Sequence, residues 1–101
     1  MLDHMMDQGV KENVIERELI ARVQAAGGLC IKVQTVSRRG FFDRMVVLPG
    51  GVIIFCECKR PRGGRLAMHQ RWYAEIFRAL GARVEIVANY ADIDRLFTDN
   101  I

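Results

Sequence analysis

The chain has 101 residues, of which 50% are hydrophobic and 27% charged, with a formal net charge of +3. A chain of this length supports one hydrophobic core and is too short for two. Its balanced composition excludes a low-complexity, repeat or largely disordered protein. We expect a flexible N-terminal segment over residues 1–10 and a single domain over residues 11–101.

The apolar runs and the cysteines bear on the compartment. No run approaches the roughly 18 residues that a membrane span requires, and the first residues lack the charged-then-apolar order of a signal peptide. Cys30, Cys56 and Cys58 are an odd count, and the last two point the same way along one strand, so buried thiols are expected. His4 and His69 are too isolated for a zinc site. A cytoplasmic protein is predicted.

The first half of the chain predicts a helix followed by three strands. Apolar residues recur at helical spacing until Gly27 and Gly28 end the pattern. Short β-branched stretches then predict strands. Pro49-Gly50-Gly51 suits a tight hairpin between the second and third of them. The predicted ranges are 11–26 for the helix and 29–36, 41–48 and 52–59 for the strands.

The second half predicts a helix, a strand and a closing helix. Pro61-Arg-Gly-Gly64 interrupts the chain, after which Tyr73, Ile76, Phe77 and Leu80 share one helical face. The predicted ranges are 66–80, 83–87 and 90–97. The strand-helix-strand unit requires parallel strands joined by a right-handed crossover. The predicted class is therefore α/β, with an αβββαβ core whose central mixed four-stranded sheet is flanked by helices.

The hairpin predicts a pair of opposed carboxylates. If its loop is residues 49–51, Leu48 pairs with Val52, and counting outward from that pair places Asp43 opposite Glu57. Directly opposed side chains have Cβ atoms about 5 Å apart, so the two acids would repel each other. Lys59 shares the face of Glu57. Two carboxylates can bind a hard divalent cation, and a lysine beside them can assist phosphodiester hydrolysis.

A structural alternative explains the same three residues as a salt-bridged strand end, in which Lys59 neutralises one acid and the other reaches water. The strand that carries Glu57 is expected to be central in the sheet. The remaining residues of the Glu57 face are expected to form apolar core: Met45, Val47, Ile53 and Phe55.

Polar residues on the two longer helices are further candidates. Glu16 projects within the apolar arc of the first helix, so it either joins the metal site or reaches solvent at the edge of that arc. Glu12 suits the positive end of the helix dipole. Gln70 either reaches the site or hydrogen-bonds the backbone at its helix start. His69 is expected to be a satisfied core residue, and Trp72 to serve packing or a subunit contact.

Five arginines are concentrated in two short loop-like stretches, where guanidinium groups could meet DNA phosphates. They are Arg38, Arg39, Arg60, Arg62 and Arg65.

At these residues the chain resembles the VRR-NUC family, a compact branch of the PD-(D/E)XK nucleases, from about Asn13 to Phe97. Glu-x-Lys alone would carry no signal, whereas its place in the ordered set of motifs is specific. The matched pieces are Ile15-Glu16, Ala26-Gly-Gly28, Arg39-Gly40-x-x-Asp43-Arg44, Leu48-Pro-Gly-Gly51, Glu57-x-Lys59, Gly64-Arg65-Leu66 and Gln70 with Trp72.

The resemblance implies a role for each site residue. Asp43, Glu57, the carbonyl of Cys58 and Glu16 would bind Mg²⁺ or Mn²⁺, and Lys59 and Gln70 would assist the attacking water. The chain departs from the family pattern at Phe41 and Phe42, where a small residue and a proline are usual, and at Cys58, which replaces an aliphatic residue.

The resemblance also implies a substrate, because stand-alone members are similar to dimeric resolvases that cut four-way (Holliday) DNA junctions. The expected function is a structure-selective endonuclease acting as a homodimer. The rival classes are a binding module that holds DNA or a protein without cutting, and a purely structural or regulatory protein. The intact set of Asp43, Glu57 and Lys59 argues against the binding module, and a structural or regulatory protein would not bind nucleic acid at all.

Overall fold

The computed structural model describes residues 11–35, 41–59 and 68–98, which form three helices and one sheet in the predicted order. The elements are α1 (Glu12–Ala25), β1 (Leu29–Lys32), β2 (Arg44–Leu48), β3 (Val52–Cys58), α2 (Met68–Ala79), β4 (Arg83–Val87) and α3 (Tyr90–Thr98). The predicted α/β class is confirmed. None of the described helices combines the length and the apolar character that crossing a membrane requires.

The sheet has the strand order β1-β2-β3-β4. The first two pairings are antiparallel and β3 pairs with β4 in parallel, as the crossover predicted. Leu48 pairs with Val52 and the ladder continues to Arg44 with Cys56, which confirms the register read from the hairpin. Gly50 and Gly51 have φ of 90° and 78°, a conformation that only glycine adopts without strain.

Strand β1 ends earlier than predicted, and strand β2 begins later. The β1 strand ends at Lys32, and β2 begins at Arg44 instead of Phe41. The backbone N–H of Cys58 donates to Oδ2 of Asp43 at 3.0 Å. A side-chain oxygen thus serves as the acceptor that a longer β2 backbone would have supplied to β3. On the β1 side the Asp43 carbonyl still accepts a hydrogen bond of 2.9 Å from the N–H of Val33.

The two faces of the sheet are covered unequally. Helices α1 and α3 pack on one face and enclose the larger core: Ile15, Leu19, Val23, Val46, Leu48, Ile54, Cys56, Cys58, Val87, Ile93 and Leu96. Helix α2 packs on the other face beside β4, over a smaller cluster of Phe42, Tyr73, Ala74 and Val84.

This inequality corrects several sequence-based expectations. Ile53, predicted to lie in the core, is 49% exposed, and on the predicted buried helix face Ile76 is 39% and Leu80 is 80% exposed. His69 is also exposed instead of being a core residue. A helix is about 10 Å across and strands are about 4.8 Å apart, so one helix covers only about two strands. Periodicity identifies an apolar face, but it does not reveal how many helices cover it.

Helix α1 ends at the glycine pair that the sequence indicated, and the first of the two glycines is left-handed. Gly27 has φ of 85°, and the N–H of Gly28 donates to the carbonyl of Val23 at 2.9 Å. This is the hydrogen bond of a Schellman motif, which satisfies the last helical carbonyls. Gly28 then passes so close to the hairpin that a Cβ there would lie 2.5 Å from the carbonyl oxygen of Val47.

We predict that Gly28→Ala lowers the free energy of unfolding by about 3 kcal/mol, because the added methyl group meets a strand backbone that cannot rotate away. The matched control is Gly81→Ala, where φ is 92° but nothing lies within 4 Å of the added Cβ. That variant should lose only about 1 kcal/mol, for backbone strain. Urea unfolding measures both values. A smaller loss at Gly28 than at Gly81 would show that the strand shifts to admit the methyl.

Candidate active site

One edge of the sheet gathers the polar residues. Because β1, β3 and β4 run in one direction and β2 in the other, the ends of those three strands and the start of β2 share this edge. Asp43 precedes β2, and Glu57 and Lys59 stand at the end of β3. The first turn of α2 brings Gln70 to Glu57. The structure therefore assembles Asp43, Glu57, Lys59 and Gln70.

Glu57 is the only charged side chain among the buried residues that the structure describes, with 1% of its surface exposed. Its Oε2 accepts a hydrogen bond from Gln70 Nε2 and lies 3.2 Å from Lys59 Nζ. Its Oε1 is buried and has no partner within the described ranges 11–35, 41–59 and 68–98. A carboxylate is thus held by one oxygen while the other is left unsatisfied.

This arrangement distinguishes between the alternatives left open by the sequence. Gln70 uses its amide on Glu57, so the site interpretation of this residue is supported. A salt bridge between Lys59 and Glu57 exists, as the structural alternative requires. That alternative gives no reason for burying the other oxygen without a partner, which costs free energy of order 1–3 kcal/mol or more.

The raised pKa of Glu57 also favours a site for a further positive charge. Burial and, to a smaller extent, the negative charge of Asp43 together raise its pKa from 4.5 to about 7, against the opposing effect of Lys59. Lys59 alone therefore does not stabilise the ionised form fully. A further positive charge at this edge would restore the ordinary ionisation of Glu57.

The donor set fits a small divalent cation. The described part of the chain brings no third carboxylate, imidazole or thiolate into a metal-binding cluster with Asp43 and Glu57. Mg²⁺ is commonly held by one or two carboxylates, with water and substrate phosphate as its other ligands. Asp43, the partnerless oxygen of Glu57 and the backbone carbonyl of Cys58 are donors of this kind.

Glu16 lies on α1, on the other face of the sheet from Glu57. Its Oε2 accepts a hydrogen bond of 2.7 Å from Nε of Arg44. Burial and Asp43 raise the pKa of the Cys58 thiol, and the charge of Glu16 adds to this effect, so Glu16 is within electrostatic reach of the site. Its role as a metal ligand stays a prediction.

Arg44 is a residue that the sequence argument missed. Its side chain is largely buried and pairs with Glu16. The signal was present in the register, because the residue after Asp43 must point to the opposite sheet face, on which α1 packs. An arginine at that position predicts an acidic partner on the helix.

The two phenylalanines that depart from the family pattern pack beneath the site. Phe42 is buried, with its ring centroid 5.0 Å from that of Phe77, and the Phe41 centroid is 5.3 Å from that of Tyr73. Phe55 joins the same cluster. These edge-on contacts anchor the segment before Asp43.

Some of the predicted site residues lie outside the part of the chain that the structure describes. Arg38, Arg39, Arg60, Arg62 and Arg65 lie outside the described residues, as does the segment over residues 1–10. Trp72 is half exposed, with its ring centroid 5.0 Å from that of Tyr73. Cys30, Cys56 and Cys58 are free thiols, and Cys56 and Cys58 are buried as expected.

The comparisons with known proteins agree with this geometry. No family model matches the chain. A protein of Acyrthosiphon pisum secondary endosymbiont phage 1, named "Putative nuclease p44", is 39% identical over 87 residues, which are 86% of this chain and 91% of that protein. A solved structure described as "VRR_NUC domain" superposes with a TM-score of 0.83 at 33% identity, covering 92% of this chain and 100% of the other. The chain therefore belongs to the VRR-NUC family of nucleases.

Proposed function

We propose that the protein is a Mg²⁺- or Mn²⁺-dependent endodeoxyribonuclease of the cytoplasm that cuts branched DNA, four-way junctions foremost, as a homodimer. The observation that carries the metal dependence is the buried Glu57 carboxylate, which has one oxygen held by Lys59 and Gln70 and the other without a partner in the described residues. The second oxygen of this carboxylate, Oε1, would therefore be available to bind a cation.

Each residue of the site would have a distinct role in hydrolysis. Asp43, Glu57 and the Cys58 carbonyl would hold the ion, which when bound lowers the pKa of water and neutralises phosphate charge. Glu16, which pairs with Arg44 outside this cluster, would have to move to complete the shell. The ammonium group of Lys59 lies beside this ligand set and can donate to an attacking water or to the developing phosphate charge. Gln70 fixes the orientation of Glu57.

The arginine stretches would contact the DNA backbone. Residues 36–40 join the chain between β1 and β2, and residues 60–67 join it between β3 and α2. The described residues on either side of both stretches stand at the edge that carries Asp43 and Glu57. Guanidinium groups tethered there would meet phosphates on both sides of the cleaved bond.

The junction preference supports a dimer. Resolving a four-way junction takes two symmetric cuts, and each chain offers one carboxylate pair. A two-fold homodimer supplies two equivalent sites with matching symmetry.

The decisive experiment is a cleavage and binding assay with a labelled four-way junction, with and without Mg²⁺. We expect cleavage only with the metal. Asp43→Asn and Glu57→Gln should each lower the cleavage rate by about 100-fold or more while junction affinity changes little, because the arginines supply most of the contact energy.

The matched control is Glu75→Gln, an exposed acid on α2 that should cleave normally. Binding without cutting by the wild type would identify a binding module, and the absence of both would indicate a structural protein. Near-normal turnover in either site variant would refute the carboxylate pair.

Loss of charge at Arg38, Arg39, Arg62 or Arg65 should weaken binding to all DNA sequences alike. Each lost phosphate contact should reduce the slope of log K against log salt by about one. Arg78→Ala is the control, because Arg78 is in the last turn of α2, away from the site. If the four variants retain the slope of the wild type, the loops do not bind phosphate.

The raised pKa of Glu57 predicts how metal-free stability depends on pH. The folded state binds the extra proton between pH 4.5 and about 7, so the stabilisation is present at low pH and is lost as pH rises through about 7. Wild type should therefore lose on the order of 2–3 kcal/mol relative to Glu57→Gln between pH 4.5 and 8. Thermal melts in a chelating buffer measure this difference.

Adding Mn²⁺ at pH 8 should then raise the melting temperature of the wild type. At a tenfold excess of Mn²⁺ over Kd the free energy of unfolding should increase by about 1.4 kcal/mol. Glu57→Gln has lost both the charge repulsion and the ligand, and its melting curve should not move. Equal shifts in the two proteins would mean that the ion binds elsewhere.

A further inference from the structure

Asp43 lies just outside β2 and is held from several sides. Its carbonyl accepts a hydrogen bond of 2.9 Å from the N–H of Val33, and its Oδ2 accepts one of 3.0 Å from the N–H of Cys58. The preceding residue, Phe42, is buried among aromatic rings. The following residue, Arg44, is the first of β2. The orientation of the Asp43 carboxylate therefore depends on whether the strand pairing stays closed at Arg44.

The first position of β2 brings two positive charges together. Arg44 lies directly opposite Lys32 of β1. Side chains at opposed positions have Cβ atoms about 5 Å apart, and like charges there destabilise the pairing. Lys32 is exposed, but only 15% of the Arg44 side chain is, so water screens the Arg44 charge only in part. Without a counter-ion, the β1-β2 pairing would tend to open at the end that carries Asp43.

Glu16 supplies this counter-ion from α1. Its Oε2 lies 2.7 Å from Nε of Arg44, and 27% of its side chain is exposed. Among the residues that the structure describes, Glu16 is the only acid that forms an ion pair with Arg44. A partly buried pair of this kind is screened less by salt than a surface pair. The contact joins α1 to the residue that follows Asp43.

We infer that Arg44 is a positioning residue for the proposed metal site: by pairing with Glu16 it keeps β2 closed against β1 and so fixes the Asp43 carboxylate. The inference rests on the proposed function and gives Arg44 an effect on the ion without contact with it. Ligands must be held within about 0.5 Å of their working positions. Residues that only orient metal ligands typically change metal affinity or activity by about 10- to 100-fold.

Three substitutions test the pair in the protein without DNA. Arg44→Gln and Glu16→Gln each remove one charge, and Arg44→Lys keeps the positive charge without the guanidinium group. The control is Asp94→Asn, which removes a different ion pair of α1, the 2.8 Å contact between Asp94 and Arg22. That variant should behave as the wild type in both measurements below, because its ion pair joins α1 to α3 and not to β2.

Amide hydrogen exchange of the metal-free protein is the first measurement. The N–H groups of Val33 and Cys58 both donate to Asp43, so loss of either charge of the pair should speed their exchange by about tenfold. The N–H of Lys59 donates across the β3-β4 pairing and should keep its rate. Equal acceleration at all three amides would show that the pair only stabilises the fold. Unchanged rates at Val33 and Cys58 would overturn the inference.

Mn²⁺ binding, followed by electron paramagnetic resonance, is the second measurement. Arg44→Gln and Glu16→Gln should each raise the Kd of Mn²⁺ by about tenfold, and Arg44→Lys should lie between Arg44→Gln and the wild type. The double variant with Gln at both positions should bind as weakly as either single variant, since both changes break one contact. Additive losses would contradict an effect that passes through the pair.

Loss of Mn²⁺ affinity in Glu16→Gln but not in Arg44→Gln would overturn the inference and identify Glu16 as a direct ligand of the ion. If Arg44→Gln does not fold, Glu16→Gln and Arg44→Lys still decide the outcome through the exchange rates at Val33 and Cys58. These rates do not depend on cleavage. A protein with the expected rates that cuts no DNA refutes the nuclease proposal alone, and a nuclease with unchanged rates refutes the positioning role alone.

Discussion

The buried Glu57 carboxylate is the constraint around which the rest of the site is arranged. Removing such a group from water costs several kcal/mol unless partners replace the water. Lys59 and Gln70 satisfy one oxygen, which fixes the first turn of α2 over the end of β3. Asp43 adds a second negative charge where the first is already unfavourable. The rings of Phe42, Phe55 and Phe77 pack together beside these acids, since Phe42 precedes Asp43 and Phe55 lies two residues before Glu57.

Most of the fold was predictable because it depends on local signals. The Pro-Gly-Gly turn determines the β2 and β3 register, and the crossover rule determines that β3 and β4 are parallel. The extent of burial was not predictable in the same way. Ile53 and Leu80 satisfy an apolar period, yet they are exposed because the one helix on their face covers only part of the sheet. Such coverage is a tertiary property that no local pattern contains.

The site was predictable where it follows from strand alternation and less so where it depends on side-chain reach. Alternation brought Asp43, Glu57 and Lys59 to one edge. The partner of Glu16 was missed, although Arg44 occupies the facing position on β2. The Asp43 side chain also replaces a backbone acceptor and thereby ends the strand early. Competition of this kind between a side chain and a ladder carbonyl appears only once both are placed in space.

Because the Asp43 side chain takes the place of a backbone acceptor, the same residue serves both the site and the stability of the fold. An acid that serves only as a ligand can be lost without harm to the protein once its activity is no longer needed. Asp43 also accepts the backbone N–H of Cys58. A substitution that removes its side-chain oxygens leaves a donor of the central strand without its acceptor, at a cost of about 1–3 kcal/mol. Selection for stability alone would therefore retain Asp or Asn at this position, even in descendants that no longer cut.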